Sequence, residues 1–394
     1  MRSRPAEESG EWVRVAVYTA VKLPDDLRRD LVALSTEIHA DPELAYNEVR
    51  AAARIRSLLE RRGHTVEMGV GNVATAFRAR VGPPGPSVAL LAEYDALKGV
   101  GHGCGHNLIA MTNVGAFLLA ATDPKRLEVA VELIGTPAEE DGGGKIDLLN
   151  AGVFDTVGFA LSTHPASQGD WAVSGTGLGI VGKRVIYRGQ SSHAGSAPER
   201  GRNALNGLIL LFTGIDGWRQ HLPATSRVHG IIDYGGDAVN VVPARAEARF
   251  GLRALDIATL NDMVATFTDV AQGAALETST TVEISDYLRL YAPVSSNTKL
   301  GDVVAEELRR RGVEPKRGTL VAASTDLGNV SQKAPTDWIR FPVSPQPIAA
   351  HSDAMREACI TDLAHRNAAL ATEALAAAAR RVATDAKLRE AIAA

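Results

Sequence analysis

The sequence predicts an α/β fold with two parts: a larger domain, whose mixed, mainly parallel sheet is flanked by helices, and an inserted α+β sandwich. Up to about residue 181, apolar runs typical of buried strands alternate with segments of helical spacing. From residue 182 to 293 the strands alternate apolar and polar residues, in the order β-α-β-β-α-β that is typical of a small sandwich. With 394 residues the chain is also too long for one compact core. We therefore predict the larger domain at residues 1–181 and 294–394, and the insertion at residues 182–293.

Local patterns define each predicted element. Recurring leucine, isoleucine and alanine at helical spacing predict helices, and a glycine at position 63 favours termination of the second helix. The predicted helices cover residues 25–38, 48–62, 108–121, 203–219, 255–275 and 360–378. The predicted strands cover residues 88–92, 127–135, 157–163, 183–188 and 246–253.

Composition and charge exclude several classes of protein. A net charge of -4 gives no basic footprint, so we expect no nucleic-acid partner. No apolar stretch reaches the roughly 20 residues of a membrane span, and the polar residues 1–10 lack the apolar core of a secretion signal. The two cysteines, Cys104 and Cys359, exclude a disulfide framework and fit a reducing compartment. We therefore expect a cytoplasmic protein that does not associate with membranes.

A glycine-rich segment at residues 101–107, Gly-His-Gly-Cys-Gly-His-Asn, is typical of a metal site. Thiolate and imidazole bind borderline transition metals, and glycines let the backbone bend so that Cys104 and His106 converge on one point. Cys104 also precedes a predicted helix, whose N-terminal dipole would lower the pKa of the thiol. The alternative is a glycine-rich turn that carries a buried cysteine and two surface histidines.

Further candidate ligands follow the ends of apolar runs. Asp95, the adjacent pair Glu139 and Glu140, and His164 each follow or end a different predicted strand, and His351 lies far downstream. Because functional groups collect beyond the carboxyl ends of strands in an open α/β sheet, we expect these side chains to share one crevice. Each has an ordinary alternative when it is considered alone: a solvated acidic turn, a loop histidine before proline, or a neighbour of a helix cap.

The order of these residues resembles the pattern of the metallopeptidase family 20 amidohydrolases. That family contains aminoacylases, hippurate hydrolases, auxin-conjugate hydrolases and aminobenzoyl-glutamate hydrolase. The residues that carry the resemblance are Cys104-Gly105-His106, Glu139-Glu140, His164 and His351, together with residues 39–44, 230–243 and 324–331. Two residues beside the metal loop depart from the pattern, because Lys98 stands in place of proline and Gly103 in place of alanine.

The resemblance implies an amidohydrolase with one or two divalent metal ions, zinc or manganese, with cobalt also accepted. The implied ligands are Cys104, His106, Glu140, His164 and His351, with Cys104 as the bridge if two ions are present. Glu139 is implied to be the general base, which takes a proton from a metal-activated water and returns it to the leaving nitrogen. Asp95 is implied to orient a ligand histidine.

The resemblance also makes the larger domain catalytic and the insertion a lid that joins two subunits in a homodimer. His193 is similar to the family's lid histidine, which reaches the partner subunit's active site and stabilises the oxyanion; an exposed loop imidazole is the alternative. Asn240 and Arg253 are similar to lid positions that contact substrate, although a strand-end asparagine and a solvated arginine are equally compatible with the sequence. Ser324 either lines the pocket or caps a helical turn.

Residues 177–182 match the dinucleotide-binding fingerprint GxGxxG. The segment that follows is predicted to be a strand, so no helix N-terminus is available to bind phosphate. We interpret these residues as a flexible hinge between the domains.

Three functions are compatible with this sequence. The first is hydrolysis of the amide bond of an N-acyl or N-aroyl amino acid or of a dipeptide. The second is hydrolytic deamination of an aromatic amine, since the same activated water would attack an electron-poor aromatic carbon. The third is a non-catalytic binding protein on the same fold, against which Glu139 argues, because such a protein has no chemical need for a base. The small-molecule substrate itself is not specified by these residues.

Overall fold

The computed structural model describes residues 21–167 and 169–394, and two main sheets are formed by different parts of the chain. The helices are α1 Asp25–Ala40, α2 Val49–Arg61, α3 His106–Ala120, α4 Gly144–Asn150, α5 Ala204–Arg219, α6 Ile257–Glu277, α7 Thr298–Arg309, α8 Leu327–Ser331, α9 Asp353–Ala358, α10 Asp362–Thr384 and α11 Ala386–Ala393. The strands are β1 Glu67–Met68, β2 Phe77–Val81, β3 Ser87–Ala92, β4 Ala130–Gly135, β5 Val157–Ala166, β6 Ala172–Val173, β7 Thr176–Gly177, β8 Gly179–Arg188, β9 Arg227–Tyr234, β10 Arg245–Ala254, β11 Thr281–Tyr291, β12 Lys316–Arg317, β13 Leu320–Val321 and β14 Thr336–Pro342.

The larger sheet has eight strands in the order β1-β2-β4-β3-β5-β14-β6-β12. Its four central strands, β4, β3, β5 and β14, are parallel, whereas β1 and β2 on one side and β6 on the other pair antiparallel. The predicted mixed, mainly parallel sheet is therefore confirmed. All four central strands present their carboxyl ends to the same edge of the sheet, where side chains from separate parts of the sequence meet.

The central strand β3 is buried on both faces. Val88 and Leu90 pack into the core that contains α3, whereas Ala89 and Leu91 pack into the second core, which contains residues of α4 and α8. Every residue of α3 is buried, between the sheet and the helices α1 and α10. Because both faces are covered by helices, the strand needs apolar residues at every position, which explains its continuous apolar run. The packing of α3 against β3 also fixes the start of the helix beside the end of the strand.

The second sheet is antiparallel, in the order β11-β8-β10-β9, and packs against α5 and α6. Along the chain its elements follow the order β8-α5-β9-β10-α6-β11, which is the predicted β-α-β-β-α-β arrangement. The second α+β unit of the predicted fold is therefore confirmed. The domain boundaries at residues 181 and 293 remain predictions.

The segment at residues 177–182 does not form the flexible hinge that the sequence suggested. Gly179 begins β8, and Gly182 lies inside this strand, opposite Gly251 on one side and Leu288 on the other. A β-carbon at Gly182 would lie 2.6 Å from the β-carbon of Leu288. The glycine therefore serves close packing between strands, a tertiary requirement that the GxGxxG spacing does not reveal.

None of the helices in residues 21–167 and 169–394 is both long enough and apolar enough to cross a membrane. Residues 1–10, in which we predict no secretion signal, lie outside the described residues. The cytoplasmic location stays a prediction.

Candidate metal centre

Cysteine, histidine and glutamate side chains meet at the carboxyl ends of β3, β4 and β5. They form three overlapping clusters, in each of which the candidate ligand atoms lie within 4.8 Å of one another. The clusters are Cys104 with His106 and His164, Cys104 with Glu140 and His351, and Glu93 with His106 and Glu139. The structure thus brings together the five residues that the resemblance assigns to metal ligation, and it adds Glu139 and Glu93.

His106 is the buried centre of these clusters. Its Nδ1 lies 2.9 Å from Asp95 Oδ1, and the other oxygen of Asp95 accepts the backbone N–H of Glu140 at 2.9 Å. Its Nε2 has no hydrogen-bond partner among the described residues, yet lies 3.5 Å from a Glu93 oxygen and 3.7 Å from oxygens of Glu139 and Glu140. Because the carboxylate of Asp95 accepts a hydrogen bond from Nδ1, the proton of the ring is on Nδ1. Nε2 therefore faces the three glutamate carboxylates, as the free ring nitrogen does in histidines that ligate metals.

His164 presents a second ring nitrogen to the same space. Its Nδ1 donates to the carbonyl oxygen of Pro165 at 2.7 Å, which leaves Nε2 facing the sulfur of Cys104 at 3.4 Å. Burial lowers the pKa of His164 to about 4, so the imidazole is neutral near pH 7 and its Nε2 carries a lone pair. Two electron-rich atoms at this distance require a proton or a cation between them. Thiolate, imidazole and carboxylate donors together fit zinc or manganese.

The N-terminal dipole of α3 does not lower the pKa of the Cys104 thiol below its usual value, contrary to the expectation from sequence. Burial raises the pKa of Cys104 well above its usual value, and the carboxylate of Glu140 raises it further. The dipole of α3 is outweighed because its effect is modest beside the loss of hydration and a nearby negative charge. A cation beside the sulfur is the charge that would stabilise the thiolate.

The loop that carries Glu139 is held in an unusual conformation. Ala138 has a φ of 60°, which is uncommon for a residue with a side chain. Its backbone N–H donates to Glu48 Oε1 at 2.9 Å, and Glu48 is itself fully buried. Burial raises the pKa of Glu48 to about 7, with a further contribution from Asp95. Glu48 therefore anchors the backbone immediately before the two adjacent glutamates.

His351 and a cavity form the open side of the centre. His351 lies 3.8 Å from a Glu140 oxygen, its side chain is 54% exposed, and its backbone N–H donates to the carbonyl oxygen of Gly103. The cavity has a volume of about 620 Å³. Its wall includes the side chains of Cys104, Glu139, Glu140, His164, Ser324, Trp338, Arg340 and His351. A substrate that enters this space therefore meets the clustered ligand atoms directly.

A buried lysine, which the sequence patterns did not indicate, balances part of the negative charge. Lys145 Nζ lies 2.7 Å from Glu93 Oε1 and 2.6 Å from Asp326 Oδ1, and all three side chains are buried. The placement of Glu93 follows the same rule as that of Asp95, since both residues follow β3. Lys145 gave no such signal, because a lysine after a run of glycines is ordinarily exposed.

The predicted lid residues separate into two groups. Arg253, on β10, donates to Ser324 Oγ at 2.8 Å, which places it beside the cavity wall. His193 and Asn240 lie together on the insertion, where His193 pairs with Val241, and neither lines this cavity. Both are exposed, and Nδ1 of His193 accepts two backbone N–H groups at 3.1 Å each. Within one chain, the structure does not bring His193 to the clustered ligands.

Comparison with known proteins identifies the family. The sequence profile of Peptidase family M20/M25/M40 matches residues 83–381. The chain belongs to this family. It is similar to the Xaa-Arg dipeptidase of Mus musculus, at 36% identity over 84% of this chain and 81% of the relative. It is also similar to a subunit of the p-aminobenzoyl-glutamate hydrolase of Escherichia coli, at 30% identity over 89% of this chain and 88% of the relative.

Solved structures support the M20 fold. A dinuclear metal-binding peptidase of the M20 family from Bacillus subtilis superposes with a TM-score of 0.73, at 19% identity, over 91% of this chain and 99% of the other. As a member of the M20 family, this chain is a metal-dependent amidohydrolase or peptidase. Its cofactor is one or two divalent ions, and zinc and manganese are typical of the family. This sets aside the alternative of a non-catalytic binding protein.

Replacement of Lys145 tests the charge balance of the site. In Lys145→Met, Glu93 and Asp326 lose their buried counter-charge, so we expect the free energy of unfolding to fall by about 3–5 kcal/mol in urea denaturation. The matched control is Lys333→Met, because Lys333 pairs with Asp155 at 3.2 Å on the surface. Loss of that exposed pair should change stability by no more than about 1 kcal/mol. Equal effects of the two substitutions would contradict the role given to Lys145.

Thiol labelling tests Cys104 as a metal ligand. In metal-loaded protein, N-ethylmaleimide should leave Cys104 unmodified, because coordination occupies the sulfur lone pair. After treatment with chelator the label should appear, and faster as the pH is raised, because the raised pKa of the metal-free thiol leaves little thiolate near neutrality. Cys359 is fully buried and serves as the internal control, unmodified in both states. Peptide mass spectrometry distinguishes the two cysteines. Equal labelling of Cys104 with and without chelator would remove it from the ligand set.

Proposed function

We propose that the chain hydrolyses the amide bond of an N-acyl or N-aroyl amino acid or of a dipeptide. The position of Glu139 carries this proposal: the side chain is only 8% exposed, the residue lines the cavity, and a carboxylate oxygen lies 3.7 Å from His106 Nε2. A base held beside the clustered ligands is what metal-assisted hydrolysis needs. The relatives' names, a dipeptidase and a hydrolase of p-aminobenzoyl-glutamate, support amide cleavage over the aryl-amine alternative.

The metal ligands form part of the proposal. The proposed set is Cys104, His106, Glu140, His164 and His351, with Cys104 shared if two ions are bound. The buried Nε2 of His106 and the buried Oε1 of Glu140 accept or donate no hydrogen bond among the described residues, which supports this assignment. When bound, a divalent ion polarises the substrate carbonyl and lowers the pKa of a coordinated water towards neutrality.

Glu139 is the proposed proton carrier. Its carboxylate accepts a proton from the attacking water and returns it to the leaving nitrogen. Burial raises the pKa of Glu139 well above its ordinary value, and Glu93 and Glu140 raise it further, whereas His106 acts in the opposite direction. A raised pKa suits a group that must hold the proton between the two transfers.

Arg253 is the proposed anchor for the substrate carboxylate. Its guanidinium is partly buried and donates to Ser324, and none of the described carboxylates lies within 4.0 Å of it. An arginine fork without an ionic partner, beside the cavity, matches the geometry of a carboxylate. The substrate would thus be held between Arg253 and the clustered ligands.

We also propose that the insertion pairs two subunits and that His193 serves the partner's site. The exposed edge strand β9 and the loop after it carry apolar side chains that are unusually open to solvent: Ile231, Ile232, Val239 and Val241. Such a surface is typical of a subunit interface. His193 lies next to Val241 on this surface, away from its own chain's cavity, so it is available to a neighbouring subunit.

Substitution of Glu139 tests the general base. Glu139→Gln keeps the size and hydrogen bonding of the side chain but removes the basic oxygen, so turnover should fall by roughly 100-fold or more. Bound metal should stay near the wild-type level, whereas in the neighbouring control Glu140→Gln it should fall. Turnover is measured on N-acyl amino acids, dipeptides and aryl amines, and metal content on the same preparations. Retained amide hydrolysis in Glu139→Gln would place the base elsewhere.

Subunit mixing tests the role of His193. His193→Ala should lower turnover by roughly 100- to 1,000-fold, as expected for loss of one oxyanion donor, without loss of metal. Mixing equal amounts of His193→Ala and Glu139→Gln under subunit exchange should make about half of the dimers mixed, each with one complete site of two. Activity should therefore recover to about a quarter of wild type. If exchange is shown by a mass-tagged subunit and activity does not recover, His193 does not act across the dimer.

A further inference from the structure

Arg340 projects into the cavity beside the metal-ligand cluster, and the proposed mechanism gives it no role. It lies on β14, directly opposite His164 of the parallel strand β5. Residues opposite each other in neighbouring parallel strands project from the same face of a sheet, so Arg340 and His164 share a face. Trp338, two residues earlier, shares it too, with its ring edge-on to His164 at 5.8 Å between centroids. The cavity wall thus continues from His164 to Trp338 and Arg340.

The guanidinium of Arg340 has no ionic partner among the described residues. Its Nη1 donates to Thr319 Oγ1 at 3.2 Å, and no carboxylate of the described chain lies within 4.0 Å. The negative charge of Asp170 favours the charged form of Arg340, but Asp170 is itself paired with Lys316 at 2.7 Å. Burial lowers the pKa of Arg340, which reflects a cation partly removed from water.

Two other arginines that are partly or largely removed from water, Arg311 and Arg381, do have ionic partners. Arg311 Nη1 lies 3.0 Å from Glu307 Oε2, and Arg381 Nη1 lies 2.8 Å from Glu306 Oε2. A partly desolvated charge that lacks such a partner is unfavourable unless a ligand supplies the opposite charge. Since Arg340 lines the cavity, a ligand in the cavity can reach it.

We propose that Arg340 binds a second anionic group of the substrate, and that the enzyme prefers amides that carry two carboxylates. This rests on the proposed function, in which Arg253 holds one carboxylate and the amide lies at the clustered ligands. Trp338, Leu320 and Val321 line the same cavity, and their apolar side chains suit an aliphatic or aromatic spacer. The second carboxylate comes either from an acidic amino acid or from a dicarboxylic acyl group.

Two pairs of substrates separate these sources. The first pair is N-benzoyl-glutamate and N-benzoyl-glutamine, which differ only in the charge on the amino-acid side. The second pair is N-succinyl-leucine and N-succinamoyl-leucine, which differ only in the charge on the acyl side. In one pair the wild type should cleave the charged member with a kcat/KM about 10- to 100-fold higher than the neutral member, as expected for one charge-assisted contact. The pair that shows the preference identifies the side that Arg340 contacts.

Arg340→Met should abolish this preference, bringing the ratio within each pair close to one. Arg340→Lys keeps the charge but not the planar fork, and should restore part of the preference. The matched control is Arg78→Met, on β2 of the same sheet, where Arg78 pairs with Glu67 and does not line the cavity. This control should keep the wild-type ratio. If Arg340→Met does not fold, Arg340→Gln replaces it.

Binding provides a second readout that does not need turnover. The Glu139→Gln protein, titrated by calorimetry, should bind the charged member of the preferred pair about 10- to 100-fold more tightly than the neutral member. The double variant Glu139→Gln/Arg340→Met should bind the two members equally. A wild type without preference in either pair, or an Arg340→Met variant that keeps it, overturns the inference. Failure of the proposed function is distinct, because then no amide is hydrolysed at all, and the binding comparison still decides the role of Arg340.

Discussion

The buried imidazole of His106 is the point on which the candidate site depends. Asp95 holds one of its nitrogens, and the other faces the carboxylates of Glu93, Glu139 and Glu140. Carboxylates crowded into a buried space repel one another and lose hydration, so they cannot all be ionised without positive charge among them. Lys145 supplies that charge to Glu93 from one side. The geometry leaves the other side, beside Cys104 and His164, for a divalent cation.

The fold explains why these groups meet. Three neighbouring parallel strands end at the same edge of the sheet, and α3 starts there with His106 as its first residue. The helix is buried along its whole length, so its position is fixed by packing against α1, α10 and the sheet. The antiparallel sheet places Arg253 against Ser324 of the cavity wall, and β14 contributes Arg340 opposite His164. The two sheets thus place the clustered side chains and the two arginines around one cavity or directly beside it.

The sequence predicted what depends on local pattern, and it missed what depends on tertiary contact. Because Glu139, Glu140 and His164 follow or end predicted strands, the sequence was enough to predict that they share one crevice. Hydrophobic periodicity was enough to predict the two sheets. The close strand packing at Gly182 depends on Leu288, and the burial of Lys145 depends on Asp326, each more than a hundred positions away, to which no local pattern points. The expected lowering of the pKa of Cys104 was wrong for the same reason: burial, a tertiary effect, raises this pKa and outweighs the helix dipole. Arg340 was not singled out, because only the three-dimensional arrangement of the described residues shows that none of their carboxylates lies within 4.0 Å of it.

The most direct test of the central claim is anomalous X-ray diffraction from crystals of the zinc-loaded protein, measured on both sides of the zinc absorption edge. We expect one or two anomalous peaks among Cys104, His106, Glu140, His164 and His351, at about 2.0–2.3 Å from the sulfur, nitrogen and oxygen atoms that face the cavity. If protein that is active in solution shows no peak among these residues, or shows its peak elsewhere, the buried cluster is not the metal centre.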